Sequence, residues 1–356
     1  MATCLVALGS NLGEREQVLA QAVDMLGQHK DMQILERSRW YQSAAVGGPA
    51  GQGAFLNGVL TLATRLAAPE VHAILKKIEK TCGRQSSQRW AARILDLDLL
   101  LYDDLVITTR ELTVPHPRMA FRRFVLAPAD EIAPDMVHPM IGWSIHRLLE
   151  NLNRSHPYIA VTGLPGAGQL ALAEAIARDR QSVILSDQAA AAQRVSVAET
   201  GAWSCAQELA RIPRRAALIA TRTWPQVDRL TLSTFWFEDS LAYAELCDND
   251  ADRKQIEDAV GTHRDKVVRP RLIVLVDPPL AYVVGGTLEN ASGLNQDLLE
   301  RLRSALSRIV FGAGPVLHVQ SSDPAEVIAE VTAAIDAMSD RDISPQPAEN
   351  PKGRPA

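Results

Sequence analysis

The sequence has no excess of basic residues. Its formal net charge is −5, so no global positive field draws nucleic acid or an anionic membrane surface. A local basic pocket for a small phosphorylated ligand stays open. Long apolar runs are missing too, and none approaches the roughly 20 residues of a membrane-spanning helix. Cysteine is scarce: Cys4, Cys82, Cys205 and Cys247 are scattered, at no spacing typical of a metal or redox site. The start "MATCLVALGSNLG" carries no signal-peptide pattern, so reduced thiols and a cytoplasmic location are expected. There is no internal repeat. What is present is ordinary globular composition, 47% hydrophobic and 22% charged over 356 residues, enough for two domains with a core each.

Residues 2–8 read as a buried strand. The turn Gly9-Ser10-Asn11-Leu12-Gly13 follows, then a helix from about Glu14 in which Val18, Leu19, Ala22, Val23 and Leu26 recur at helical spacing. Strand character returns at 32–41 and 55–64, on either side of the loop "SAAVGGPAGQG". A helix from about Pro69 to Lys80 places Val71, Ile74, Leu75 and Ile78 on one face. The strand "DLDLLLY" and a helical stretch within "RMAFRRFVLAPADEIAP" complete this half. Strands and helices mix without strict alternation, an α+β pattern. From Tyr158 the pattern changes. A strand runs into the glycine-rich turn of "VTGLPGAGQLALAEAIA" and then a helix, with further strands expected at 181–186, 216–221 and 272–276. That is the signature of an α/β domain with a parallel sheet. The expected domains are 1–152 and 156–338, followed by a polar, proline-rich tail at 339–356 that reads as disordered.

The stretch "ARILDLDLLLYDD" at 92–104 poses a chemical question. Asp96 and Asp98 lie inside an apolar run, and buried carboxylates are costly unless compensated. Alternation puts both on one strand face and Leu95, Leu97 and Leu99 on the other. Carboxylates spaced roughly 6.5–7 Å along a strand can flank two divalent cations about 3.5–4 Å apart. Oxygen donors without His or Cys favour Mg²⁺. Spacing alone fits a strand with one solvated acidic face equally well. The arginines shift the balance: Arg84, Arg89 and Arg93 precede the acids, and Arg118, Arg122 and Arg123 follow. Guanidinium forks match phosphate oxygens, so the cluster suggests a polyphosphate shared between cations and metal.

On these motifs the first half resembles the hydroxymethyldihydropterin pyrophosphokinases, which move a diphosphate from ATP to a pterin alcohol in folate biosynthesis. The pieces that match, in order, are Gly9-Ser10-Asn11-Leu12-Gly13, "FLNGV" at 55–59, "GRQSSQRWAARILDLDLLLYDD", "LTVPHPRM" at 112–119 and "FRRFVLAPADEIAP" at 121–134. The resemblance implies a ferredoxin-like α+β domain, with Asp96 and Asp98 holding two Mg²⁺ ions against ATP. It implies that Phe55 and Phe124 sandwich the pterin ring, and that Asn57 bonds the amide-like edge with help from Ser43, Ala44 and Val46. Glu79, Trp90, His116 and Arg122 would line the nucleotide side, and Arg84 and Arg93 would engage the transferring phosphates. Pterin alcohol and ATP are the expected partners, with no nucleic acid and no membrane. The sequence departs from the family between Gly83 and Trp90. A second arginine is common there, but Ser86 stands at or near its place, and Ala91-Ala92 replaces Gly-Pro after the tryptophan. These changes sit in the loop that closes over ATP, so they are expected to slow turnover more than binding.

In the second half, "GLPGAGQL" at 163–170 occupies the position of a phosphate-binding P-loop. Gly163 and Gly168 fit the pattern, but Gln169 replaces the Lys that reaches the β- and γ-phosphates, and Leu170 replaces the metal-binding hydroxyl. Together with "STFWFEDSLAYAE" at 233–245 and "RPRLIVLVDPP" at 269–279, this half resembles the deoxynucleoside kinases. Thr234 stands where that family tends to have Asp, and residues 278–299 contain no Lys or Arg where those kinases carry an arginine-rich lid. A P-loop, kinase-like but inactive domain is the leading expectation. A bifunctional enzyme that also phosphorylates deoxynucleosides, or a nucleotide-sensing module, are the alternatives. The resemblance also implies a homodimer through this half.

Overall fold

The computed structural model describes residues 1–49, 51–84, 92–155, 157–187, 203–221, 224, 229–285, 296–339 and 343–346. The chain divides into two compact units. One comprises Met1–Asn153 with Ala333–Ala356, and the other Arg154–Thr332. The second unit is thus inserted into the first rather than appended to it.

The first unit is built on an antiparallel sheet. Its elements are β1 (Ala2–Ser10), α1 (Arg15–Gly27), β2 (Met32–Arg37), β3 (Tyr41–Ser43), β4 (Phe55–Thr64), α2 (Ala68–Thr81) and β5 (Asp96–Tyr102). Two short hairpins follow, β6–β7 (Ile107–Thr108 with Thr113–Val114) and β8–β9 (Val137–His138 with Trp143–Ser144), along with helices α3 (Arg123–Ile132) and α4 (Ile145–Asn153). The long β4 pairs β1 along one edge and both β3 and β2 along the other, while β5 pairs the far side of β1. Alternation decides the two faces. Cys4, Val6 and Leu8 of β1, Leu56, Leu60 and Leu62 of β4, and Leu97 and Leu99 of β5 pack with Leu19, Ala22 and Leu26 of α1 and Val71, Leu75 and Ile78 of α2. Burying so many branched side chains on one face fixes the register, because a one-residue slip would turn them all outward. In α2, the Glu70 carboxylate accepts the Ala67 N–H at 2.7 Å, which satisfies a backbone donor at the helix start.

The second unit carries β10 (Tyr158–Gly163), α5 (Gln169–Arg180), β11 (Val183–Leu185), α6 (Cys205–Leu218), β12 (Thr231–Ser233), α7 (Ser240–Ala244), α8 (Asp250–Arg264), β13 (Leu272–Val276), α9 (Leu280–Gly285), α10 (Gln296–Val310), β14 (Val316–Val319) and the start of α11 (Pro324–Ser339). Its five strands are parallel in the order β11-β12-β10-β13-β14. The central strands are continuous apolar runs, as sheets covered on both faces require.

Four sequence expectations change. The apolar stretch at 216–221 is not a strand: α6 runs through Leu218, and Ala220 makes only an isolated bridge with Val267. The strand of that region is β12, and β14 was not foreseen; short apolar runs do not distinguish a strand from a buried helix. The expected strand at 32–41 is two pieces, β2 and β3. Cys205 and Cys247, expected as free thiols, form a disulfide, because the fold brings the start of α6 beside the end of α7. Cys4 and Cys82 are free. Finally, part of the tail is ordered: β15 (Ser344–Pro345) pairs antiparallel with β3. No helix among the described residues is long and apolar enough to cross a membrane.

Candidate active site

On the sheet face away from α1 and α2, a row of positions crosses three strands. Asp96 of β5 sits opposite Gly9 of β1, which sits opposite Asn57 of β4. Asp98 sits opposite Ala7 in the row beside it. The central strand therefore offers only a hydrogen and a methyl between the carboxylates and the amide. A Cβ at Gly9 would stand 3.3 Å from Asn57 Oδ1 and 3.8 Å from Phe55 Cδ1, so glycine keeps that floor open. Above it lies a cleft of about 440 Å³. Along one end it is lined by Ser43, Ala44, Val46, Phe55, Asn57 and Phe124. At the other end stand Arg93, Asp96, Asp98, His116, Arg118 and Arg122.

The apolar and amide end is held by short-range bonds. Asn57 Nδ2 donates to Ser43 Oγ at 2.9 Å and to the Tyr41 carbonyl at 3.4 Å. The Arg122 guanidinium lies 5.5 Å from the centre of the Phe124 ring, within cation–π range. The glycine turn after β1 serves the charged end. Asn11 accepts the Arg93 N–H through Oδ1 at 2.7 Å, and its own N–H donates to the Arg93 carbonyl at 3.1 Å. Arg93 is thereby anchored to the first strand although it is 82 residues away in sequence.

At the charged end Asp96 accepts from Arg84 at 2.8 Å and from Arg93 at 2.6 Å. Asp98 has Lys76 Nζ and His116 Nε2 each at 3.9 Å. Desolvation and the neighbouring Asp98 charge push the Asp96 carboxyl above its ordinary range. Asp98 is desolvated as well, but the surrounding cationic groups hold it below its ordinary range. Two like charges side by side titrate apart in this way. Burial, with the Arg122 and Arg118 charges, pushes His116 down to about 4. For Asp98 the neighbouring His116 comes first among the groups that favour the ionised carboxylate, followed by Lys76, Arg122 and Arg93. Arg122, pushed down to about 10 by burial and by Arg118, keeps its charge.

Most of the described residues singled out in the first unit converge on this cleft, but Glu79, Arg84 and Arg123 do not line it. Glu79 is 2% exposed and turned into the layer behind the floor. There it accepts the Leu97 N–H at 2.7 Å and Lys76 Nζ at 3.0 Å, and it pairs with Arg84. Arg84 reaches Asp96 from that side. Trp90, with Ser86, lies outside the described residues. The sequence reading missed Ala7, Gln52 and Lys76. The Lys76–Glu79 pair has the i,i+3 spacing that signals a helix-surface neighbour; nothing local marks Ala7 or Gln52.

The family model for 7,8-dihydro-6-hydroxymethylpterin-pyrophosphokinase matches residues 5–134. A 2-amino-4-hydroxy-6-hydroxymethyldihydropteridine pyrophosphokinase of Synechocystis sp. is 38% identical over 166 residues, which covers 47% of this chain and 84% of that protein. The chain belongs to this pyrophosphokinase family. A pyrophosphokinase of the same name from Pseudomonas aeruginosa is 38% identical over 162 residues, 46% of this chain and 96% of that protein. The family match accounts for the first unit and leaves the inserted unit unassigned. Among solved structures, a deoxyadenosine kinase from M. mycoides is similar at TM-score 0.40 and 9% identity, covering 51% of this chain and 99% of that one. We attach no functional weight to that likeness.

The donor set suits a hard divalent cation. Two carboxylates share one face, and one of them is pushed up by burial and then by the other's charge, both of which a dication offsets. No group of three or more His, Cys, Asp or Glu side chains able to hold a metal occurs among the described residues. Phosphate and water would therefore complete the shell, as Mg²⁺ usually allows.

In the inserted unit Gly168 caps α5 in a left-handed conformation, with φ +92°. The Gln169 side chain folds back on the loop, donating through Nε2 to the Leu164 carbonyl at 2.9 Å. Beside it, the buried Arg215 pairs with Asp187 at 2.5 Å, with Asp239, and with Glu208 at 3.7 Å. Burial, with the Glu208 and Asp187 charges, raises Asp239 to about 6 in spite of Arg215.

Proposed function

We propose that the first unit transfers a diphosphate from ATP to 6-hydroxymethyl-7,8-dihydropterin, releasing AMP and the pterin diphosphate. The observation that carries this reading is the division of one cleft. A flat-ring end built from Phe55, Phe124 and Asn57 adjoins a charged end built from two carboxylates and several arginines. Stacking suits a planar heteroaromatic, and the Asn57 amide matches its donor and acceptor edge. Asp96 and Asp98 would hold Mg²⁺, two ions in our reading, which supplies charge neutralisation to the phosphates and polarises the attacked group. Arg84 and Arg93 are both bonded to Asp96. They would exchange that carboxylate for phosphate oxygens when ATP enters, delivering charge where it develops. His116, neutral and half-buried, serves as a hydrogen-bonding wall for the nucleotide. The test is AMP release from the full chain with pterin alcohol, ATP and Mg²⁺. Turnover well above that of an Asp96→Ala/Asp98→Ala variant is expected, and a rate equal to that control would refute the assignment.

For the inserted unit we infer a kinase-like module without phosphoryl-transfer activity. Ligands of open α/β sheets bind at the carboxyl ends of the strands. Around that edge, Gln169 is committed to its own loop and Arg215 to three acids. No deoxynucleoside phosphorylation by the full chain is expected, and phosphorylation that survives loss of the Asp96/Asp98 pair would overturn this.

A further inference from the structure

The chain leaves the first unit after Asn153 and returns at Ala333. Both ends of that excursion meet on one side chain. Arg123, the first residue of α3, donates through Nη1 to Asn153 Oδ1 at 2.7 Å and through Nη2 to the Leu152 carbonyl at 3.0 Å. Its Nε donates to the Met338 carbonyl at 3.1 Å. The guanidinium thus ties the last turn of α4 to the last turn of α11, where helix carbonyls otherwise lack partners. Its sequence neighbours, Arg122 and Phe124, both line the cleft.

The returning chain then reaches β3, which also lines the cleft through Ser43. Ser344 and Pro345 pair with Gln42 and Tyr41 of β3, and the Gln346 N–H donates to the Trp40 carbonyl at 2.8 Å. A strand of three residues is a weak edge, and pairing on both sides is what holds such a strand in register. The inner side of β3 pairs Tyr41 with Asn57 and Ser43 with Phe55, and Ser43 Oγ takes the Asn57 amide proton. Every residue proposed to touch the pterin therefore belongs to β3 or the loop after it, to its β4 partner, or to the start of α3.

We propose that the described residues of the return leg, 333–339 and 343–346, are a working part of the pterin pocket. Arg123 and β15 (Ser344–Pro345) with Gln346 act as positioning elements that hold the α3 and β3 sides of the pocket in place. This rests on the reading of the cleft as a pterin pyrophosphokinase site. Bracing of this kind acts on substrate binding rather than on the transfer step, so its loss raises KM and leaves kcat.

The experiment compares the full chain with a chain ended after Ser339, with Gln346→Pro, and with Arg123→Ala and Arg123→Lys. Gln346→Pro deletes one N–H without shortening anything, so it serves if the truncated chain folds poorly. Steady-state AMP release is measured against pterin and against ATP, with thermal melting as the check on folding. The truncation is expected to raise KM for the pterin about tenfold and Gln346→Pro severalfold, with KM for ATP and kcat within about twofold. A synthetic peptide of residues 340–356 should restore the truncated chain by strand addition, and Arg123→Lys should recover part of what Arg123→Ala loses. An unchanged KM for the pterin in every variant overturns the proposal, as does a parallel loss in both substrates and kcat. If the full chain releases no AMP, the reading of the cleft fails. Calorimetric pterin affinity, compared between full and truncated chains, then still decides the bracing.

Discussion

At the scale of single residues, the site depends on charges that neutralise one another until a ligand arrives. Asp96 spends both oxygens on arginines, and Glu79, buried behind it, collects a backbone N–H and two cations. The Arg93–Asp96 and Lys76–Glu79 pairs have i,i+3 spacing, and the shared face of Asp96 and Asp98 follows from alternation. The bonds from Arg84 and to the Leu97 N–H could not be read from sequence neighbours. A buried histidine outside the cleft gives a separate pH signature. His138 is 6% exposed, and desolvation pushes it from 6.5 down to about 4. Its Nδ1 accepts the Ile141 N–H, so Nε2 carries the proton of the neutral ring. Below pH 6.5 the unfolded chain takes up a proton that the folded chain refuses. Stability is therefore full above that pH and is lost as pH falls towards 4. The loss amounts to up to about 3 kcal/mol. Urea melts across this range should show a flatter pH slope in His138→Gln, by nearly one proton; a slope equal to wild type would assign the acid sensitivity to other groups.

At the scale of elements, the first unit was legible where periodicity is strong and weakest where pieces are short. α1 and α2 follow their apolar patterns closely, since each buries one face over two or more turns, and β1 and β4 are long apolar runs buried along most of their length. β12 and β15 have three and two residues, too few for a pattern. The Cys205–Cys247 link joins α6 to α7 across 42 residues, a separation that carries no spacing signal. Closing a loop of that length restricts the unfolded chain by up to about 4 kcal/mol in the chain-entropy account. Cys205→Ser should lower the denaturant midpoint of the inserted unit, and reductant should reproduce the effect in wild type but add nothing in the variant. Equal midpoints in all four samples would mean that the link contributes nothing to stability.

At the scale of the whole molecule, one chain carries two sheets of different construction, one antiparallel and one parallel. Ligand linkage separates their roles. Pterin with a non-hydrolysable ATP analogue and Mg²⁺ should raise the melting of the full chain, by about 2.7 kcal/mol of added stability at a hundredfold excess over Kd. Deoxynucleosides should leave the calorimetric trace unchanged, and a shift with any of them would mean that the inserted unit still binds. The sequence by itself determined the family of the first unit and which residue types its cleft would gather. Two carboxylates two residues apart in a strand must share a face, arginines must stay charged, and a loop without its lysine cannot reach a phosphate in the usual way. Those are properties of residue type and local repeat. Only the tertiary structure decided how Arg84 and Arg93 share Asp96, that Glu79 stands behind the cleft, that two distant cysteines meet, and that Ser344 and Pro345 pair with β3. Apart from the i,i+3 pairs Arg93–Asp96 and Lys76–Glu79, these depend on pairing and packing between segments far apart in sequence, which no local pattern encodes.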